Sequence, residues 1–267
     1  VRGTLIVYRR ELGALFAGPL AWALLFVALL LNGYMLTLLL TSRAGQGVVD
    51  ITASLEMVFG QGILFWALML VLPPLLAMRL LAEESANGTL EYLRTAPLSD
   101  AAVVLGKFLA GLSFMALLWS SIFVYALGIQ HWGTAPDWGQ VTAIYIGVVL
   151  VSGIFVALSL VPSAATSTPL LAAFLAFIGC LTWLMLPAMG QQLLSSMRVL
   201  LAEAFGGYDA AERFILDQLS RVSVSQHFIR SYFRGVIDSA EVVFFLSWIG
   251  FFLFLTTRTL EARRWRG

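Results

Sequence analysis

The sequence predicts an all-α polytopic membrane protein with six transmembrane helices, and three observations lead there. The composition is the first: 60% of the 267 residues are hydrophobic and only 12% are charged, where a soluble domain carries about 25%. The mean hydropathy is +0.90, and so apolar a chain cannot cover itself with a polar surface. The second is length. Runs at 19–40, 62–81, 103–129, 141–161, 169–189 and 242–259 are each long and apolar enough to cross a bilayer, which takes about 20 residues. The third is that the charges gather between these runs, above all in 79–107 and 190–241. The whole chain, 1–267, reads as one transmembrane domain: 1–18 before the first span, 19–189 for spans one to five, 190–241 as a polar insert, and 242–260 for span six.

The segment 1–18 predicts an interfacial elbow helix. Leu5, Tyr8, Leu12, Leu15 and Phe16 fall on one helical face and Arg2 and Arg9 on another, the pattern of a helix lying along a leaflet. Gly18-Pro19 then turns the chain into the membrane. The first run is too long for a signal-peptide core, and no small-x-small cleavage site follows it. Span two contains Pro73-Pro74, which removes two backbone donors and kinks the helix.

Basic residues set the orientation. With the N-terminus inside, cytoplasmic segments hold Arg2, Arg9, Arg10, Arg79, Arg94, Lys107, Arg258, Arg263, Arg264 and Arg266. The other side holds Arg43 and the five arginines of 190–241, and the short loop 131–140 has none. Both termini are therefore expected in the cytoplasm, with the chain multi-pass in the cell (inner) membrane.

The insert 190–241 is too polar for a seventh span, but its pattern is helical. Leu193, Leu194, Met197, Leu200, Leu201 and Ala204 form an apolar stripe that Gly206-Gly207 ends. Asp209 to Glu212 resembles a capping box opening a second helix. A third short helix is expected over 225–234, ending at Gly235, and Asp238 to Glu241 repeats the start signal before span six. This segment reads as a helical cap on the outer face.

Chemistry of the usual kinds is missing. No span carries an ionisable residue near its centre, where ion- and proton-coupled carriers place one. His131 and His227 have no metal-ligand spacing around them. No nucleophile elbow and no phosphate-binding G-x-x-x-x-G-K-[ST] appears. The net charge of +1 says nothing about nucleic acid, and no basic patch alternates with aromatics as a nucleic-acid surface would need. Cys180, the single cysteine, cannot make an internal disulfide and reads as a small buried hydrophobe. The chain is not expected to be an enzyme or to hold a cofactor or metal of its own.

What remains is the segment 79–107. Span two continues into Glu83-Glu84, Asn87-Gly88 signals a C-cap, 89–95 can make about two helical turns, and Pro97 stops them. Within those turns Leu90 and Leu93 lie on one side and Glu91 and Arg94 on the other; Ser99-Asp100 then caps span three. A short transverse helix held by two spans is a lever through which a soluble motor can act on a membrane domain. Glu83 or Glu84 could instead pair with Arg9 or Arg10 and fix the fold.

These residues carry a family resemblance. Met78-Arg79, Glu83-Glu84, Gly88-Thr89-Leu90-Glu91, Thr95-Ala96-Pro97-Leu98-Ser99-Asp100 and Val104-Leu105-Gly106-Lys107 together resemble the signature of ABC-2 type transporter permeases, most closely the gliding-motility-associated branch. Tyr8-Arg9-Arg10-Glu11-Leu12 with Pro19 is similar to its N-terminal motif. Gly133 with Pro136-Asp137-Trp138-Gly139 and Tyr145-Ile146-Gly147 is similar to its second outer turn. His227-Phe228, Gly235-Val236-Ile237-Asp238 and Leu260 to Trp265 resemble its C-terminal end. The stretch Val161-Pro162-Ser163-Ala164-Ala165-Thr166-Ser167 departs from the regular Gly/Ser-containing helix end expected there.

The resemblance implies one permease half of an ABC (type V-like) exporter or mechanotransmitting complex, with elbow helix, six spans and a cytoplasmic coupling helix. It implies a separate ABC ATPase subunit that binds ATP and Mg, a second permease copy or close relative, and an auxiliary membrane-anchored extracytoplasmic subunit. ATPase coupling would fall to Glu83, Glu84, Gly88, Thr89, Leu90, Glu91, Leu93 and Arg94, and the elbow motif to Arg9, Arg10 and Glu11. A secondary carrier or a non-transporting membrane scaffold stays open as the alternative; an inverted repeat would mark the carrier, and none is visible.

Overall fold

The computed structural model describes residues 2–44, 51–88, 99–130, 135–196 and 208–264, and all regular structure among them is helical. Six stretches are long and apolar enough to span a membrane: Pro19–Leu38, Ser54–Ala86, Asp100–Gly128, Trp138–Ala165, Pro169–Leu194 and Ser239–Arg263. Each overlaps one of the six predicted runs.

The elbow α1 (Arg2–Ala17) breaks at Gly18 and passes into α2 (Pro19–Ala44), span one. Span two is composite. A short α3 (Ile51–Glu56) runs into a π-turn, Met57–Gln61; Gly62 is extended, and α4 (Ile63–Ala77) follows. A second π-turn, Met78–Ala82, leads to α5 (Glu83–Ala86). Pro73 and Pro74 stay inside α4. The irregular hydrogen bonding shows one turn further on, in the second π-turn.

Span three is α6 (Asp100–Trp119) with α7 (Ser121–Gln130). Ser99 caps α6 as its sequence signal required: its hydroxyl accepts from the Ala102 amide at 3.3 Å. Span four, α8 (Trp138–Ala165), is capped by Asp137, which accepts from Gly139 N–H at 2.9 Å. Span five is α9 (Pro169–Ser196); α10 (Tyr208–Val222) and α11 (Val224–Tyr232) follow, and α12 (Ser239–Arg264) is span six. The predicted stripe across 197–204 and the glycine pair at 206–207 lie outside the described residues, apart from Leu193 and Leu194 at the end of α9.

The core is built around α8, which packs against α12, α9, α4 and α6. Every residue from 151 to 157 is buried. Of the most apolar stretch of this span, 67% is buried, against 22% for span five.

The elbow seats differently from its apolar pattern. The buried face of α1 is Val7, Glu11 and Leu15, one residue per turn, with Tyr8 and Leu12 at its margin, whereas Leu5 is exposed. Gly106 on α6 determines this register. A Cβ there would lie 2.7 Å from Val7 Cβ and 3.0 Å from the Thr4 carbonyl, so only glycine lets the two helices come this close. The approach brings Glu11 over Lys107, the next residue along α6.

Candidate functional site: a charged junction at the end that carries the termini

Lys107 stands in the first turns of span three with Val103, Val104, Ala110, Gly111 and Phe114 on the same buried face, and it is 0% exposed. An ammonium cannot stay charged in such a place without carboxylates beside it. Two are supplied from two other elements. Its Nζ lies 3.0 Å from Glu11 Oε1 on the elbow and 2.6 Å from Glu84 Oε2 on α5.

Arg10 closes the set. Its Nη2 donates to Glu11 Oε1 at 2.7 Å and also to Glu84 Oε1. The result is a ring of alternating charge, Lys107–Glu11–Arg10–Glu84, that sums to zero and joins elbow, span two and span three. Burial pulls the Arg10 pKa down, but its hydrogen bonds to and the charges of Glu11 and Glu84 outweigh that and leave it raised. Tyr8 adds a neutral tie, its hydroxyl 3.1 Å from Ser113 Oγ on α6.

Adjacent side chains carry the junction further. Arg79 Nε lies 3.4 Å from Glu83 Oε2 one turn on. Arg263, near the end of span six, donates to the carbonyls of Ala164 at 3.0 Å and Thr166 at 3.4 Å and to Ser85 Oγ at 3.2 Å. It thereby satisfies the last carbonyls of α8 and ties α5 to span six. Neighbouring residues of one short segment, Glu84 and Ser85, are thus bonded in opposite directions. Between elbow and α5 lies an open cleft of about 230 Å³, lined by Glu11, Ala14, Arg79, Glu83, Glu84 and Asn87.

The structure distributes the sequence-predicted residues unequally. Glu84, Arg10 and Glu11 meet in the charged ring. Glu83 lines the cleft and is partly exposed, and Arg9 is exposed. Gly88 ends α5 with φ +72°, a backbone that favours glycine, after Asn87 N–H has bonded the Glu83 carbonyl at 3.0 Å. Thr89, Leu90, Glu91, Leu93 and Arg94 lie outside the described residues. The sequence marks Lys107 only as a juxtamembrane cation. The signal that could have placed it was its register: it sits three and four residues from Val104 and Val103, on the face that Gly106 opens to the elbow. Among the described residues no three His, Cys, Asp or Glu side chains gather as a metal site.

The chemistry available here is mechanical and electrostatic. A neutral ring, buried at Lys107 and half-exposed at Arg10, holds three elements in one register, while Glu83 beside it is partly exposed.

A family model described as ABC-2 family transporter protein matches residues 15–182, more than half of the chain. The match runs from the end of the elbow through the first half of α9 and includes Glu83, Glu84 and Lys107. No curated protein matches the chain.

Proposed function

The chain belongs to the ABC-2 family of transporter proteins, and from that membership we propose that it is the membrane half of an ATP-driven exporter or mechanotransmitting complex. As a member of that family it is a multi-pass membrane permease subunit of an ABC system. The proposal adds the working parts. A separate ATPase docks on 83–94, two permease chains pair about a shared axis, and nucleotide-driven closure of the ATPases moves the coupling segment. The arginine bias supports cytoplasmic termini, and the motifs quoted above support the gliding-motility-associated branch, with its auxiliary extracytoplasmic subunit.

The single observation that carries this reading is the double tether of α5. Force applied at 83–94 reaches the elbow and span three through Glu84, and spans four and six through Ser85 and Arg263. A segment so connected cannot move without moving most of the bundle. The test is copurification in mild detergent followed by mass measurement of the intact complex. Two permease chains with two ATPase subunits are expected; a transport-competent species holding one permease chain and no ATPase overturns the proposal.

A further inference from the structure

Between the elbow and span three lies a second recess, distinct from the charged cleft. It measures about 460 Å³ and is walled by Thr4, Leu5 and Tyr8 of α1 and by Leu109 and Ser113 of α6. The hydroxyls of Tyr8 and Ser113 are spent on each other at 3.1 Å. Leu5 and Leu109, both exposed, give the recess its apolar walls. Leu109 and Ser113 belong to a membrane-spanning stretch, so the medium that reaches them from the side is hydrocarbon.

The register of the elbow puts a charge at the mouth of this recess. Because α1 seats on Val7, Glu11 and Leu15, Leu5 is turned outward, and Arg9, one turn further on, is exposed beside it. Arg10 is taken up by Glu11 and Glu84 in the ring, which is neutral as a whole. Arg9 makes no ion pair among the described residues. An uncompensated guanidinium one turn from an apolar recess is complementary to an anion at the head of a hydrocarbon chain.

The apolar walls also have the length of such a chain. Leu109, Ser113 and Leu117 follow one another at steps of four along one face of α6, and Leu117 is exposed. From Leu109 to Leu117 is about 12 Å along the helix, most of the depth of one leaflet, about 15 Å. At Leu117 a wider recess of about 600 Å³ begins between spans one and three, with Leu25, Phe26 and Leu29 on one side and Val124 on the other. The far end of a chain therefore has room there.

We propose that the recess between elbow and span three is the seat of one phospholipid from the leaflet at the end that carries the termini. Its phosphate lies on Arg9, and one acyl chain runs past Leu5 and Leu109 towards Leu117. Free phosphate makes no use of the apolar walls, and a chain without a headgroup leaves Arg9 unmatched; a phospholipid answers both. The bound lipid covers the outward edge of the elbow and fastens it to span three from the side opposite the charged ring.

Native mass spectrometry of the intact, delipidated chain in mild detergent tests this with three probes: phosphatidylglycerol, a diacylglycerol with the same chains, and inorganic phosphate. One phosphatidylglycerol per chain is expected to be retained, and neither of the other two at the same concentration. Arg9→Gln, a change at an exposed position, is expected to weaken retention at least about tenfold, the loss of one charge-assisted contact. Leu109→Trp fills the recess from an exposed position and is expected to abolish retention. Leu175→Trp, equally exposed on span five, is expected to leave it unchanged. In nanodiscs, phosphatidylglycerol carrying a photoreactive group in its chain is expected to label 109–117, and Arg9→Gln is expected to reduce that labelling. Equal retention of diacylglycerol, or binding of inorganic phosphate alone, removes the two-part ligand and overturns the proposal. So does a wild type that retains no lipid, or one that holds several regardless of Arg9 and Leu109, which is the ordinary lipid shell of a membrane protein.

Discussion

Ser163 Oγ accepts the backbone N–H of Ala82 at 3.1 Å, across the contact between span four and span two. The same hydroxyl donates to the carbonyl of Ala77 at 2.6 Å. Ala77 and Ala82 are five apart, the two ends of a π-type hydrogen bond. One side chain from α8 therefore stands inside the ladder of span two, immediately before Glu83 and Glu84, and fixes the rotation at which those carboxylates leave the membrane.

Ser163→Ala removes both bonds from buried backbone groups. A loss of about 1–3 kcal/mol is expected, the cost of leaving such groups unpaired. Thermal unfolding in detergent reads it, and an unchanged midpoint would show that Ala77 and Ala82 close on each other without penalty. Ser163→Thr keeps the hydroxyl and is expected to behave closer to the wild type than Ser163→Ala.

Lys107→Met breaks the charged ring from its buried member. Two carboxylates then share one half-exposed guanidinium, and destabilisation of about 3–5 kcal/mol is expected, as for other buried pairs cut on one side. Adding Glu11→Gln is expected to recover a large part of this, because it removes the newly unbalanced charge. A double variant no more stable than Lys107→Met shows that the ring acts by packing instead of charge. Denaturation midpoints of the four proteins form the cycle.

Glu83 and Glu84 are expected to separate in their phenotypes. Glu84→Ala opens the ring and lowers stability. Glu83→Ala loses only a partly exposed pair with Arg79, worth at most about 1 kcal/mol, so expression and insertion are expected to survive. If 83–94 is the coupling element, a Glu83→Ala, Glu91→Ala variant keeps its fold but loses ATPase copurification or permease-stimulated hydrolysis. Wild-type values of both for that variant would remove this segment from the coupling mechanism.

Topology is checked by labelling in a Cys180→Ala background. Asn87→Cys, exposed just past α5, is expected to react from the cytoplasmic side and Asp209→Cys from the other. Reaction of Asp209→Cys from the cytoplasmic side alone reverses the assigned orientation.

The spans were legible because length and hydropathy set them almost regardless of neighbours. So were the caps at Ser99 and Asn87-Gly88, where a side-chain acceptor or a left-handed glycine leaves a local trace. The helix α10 begins next to its start signal at Asp209, and α11 falls close to the range that Gly235 ends. The junction was only half legible. Arg10 pairing with Glu84 was foreseen as one role for these residues, but Lys107 was not, since a lysine at a span end reads as a snorkelling cation until a glycine beside it admits a second helix. The apolar pattern of α1 included Leu5 and omitted Glu11, because pattern-reading ranks a carboxylate as solvent-facing and cannot know of the cation beneath it. The π-turn at 78–82 is set by Ser163, more than eighty residues further along the chain, and no local pattern contains it.

The central position of α8 also bears on how the protein meets bilayers of different thickness. A span touching lipid must tilt, kink or thin the membrane when its apolar length does not match. The central span, 67% covered, is largely shielded from that constraint, and the mismatch falls mostly on spans one, five and six, where only 28%, 22% and 28% of the most apolar stretch is covered. Strain from the lipid then reaches the centre through side-chain contacts between helices, such as Ile249 of span six in the notch at Gly153 of span four. The last span is fastened to α8 there and again by Arg263 at its end, so it is the peripheral helix through which membrane thickness acts on the core.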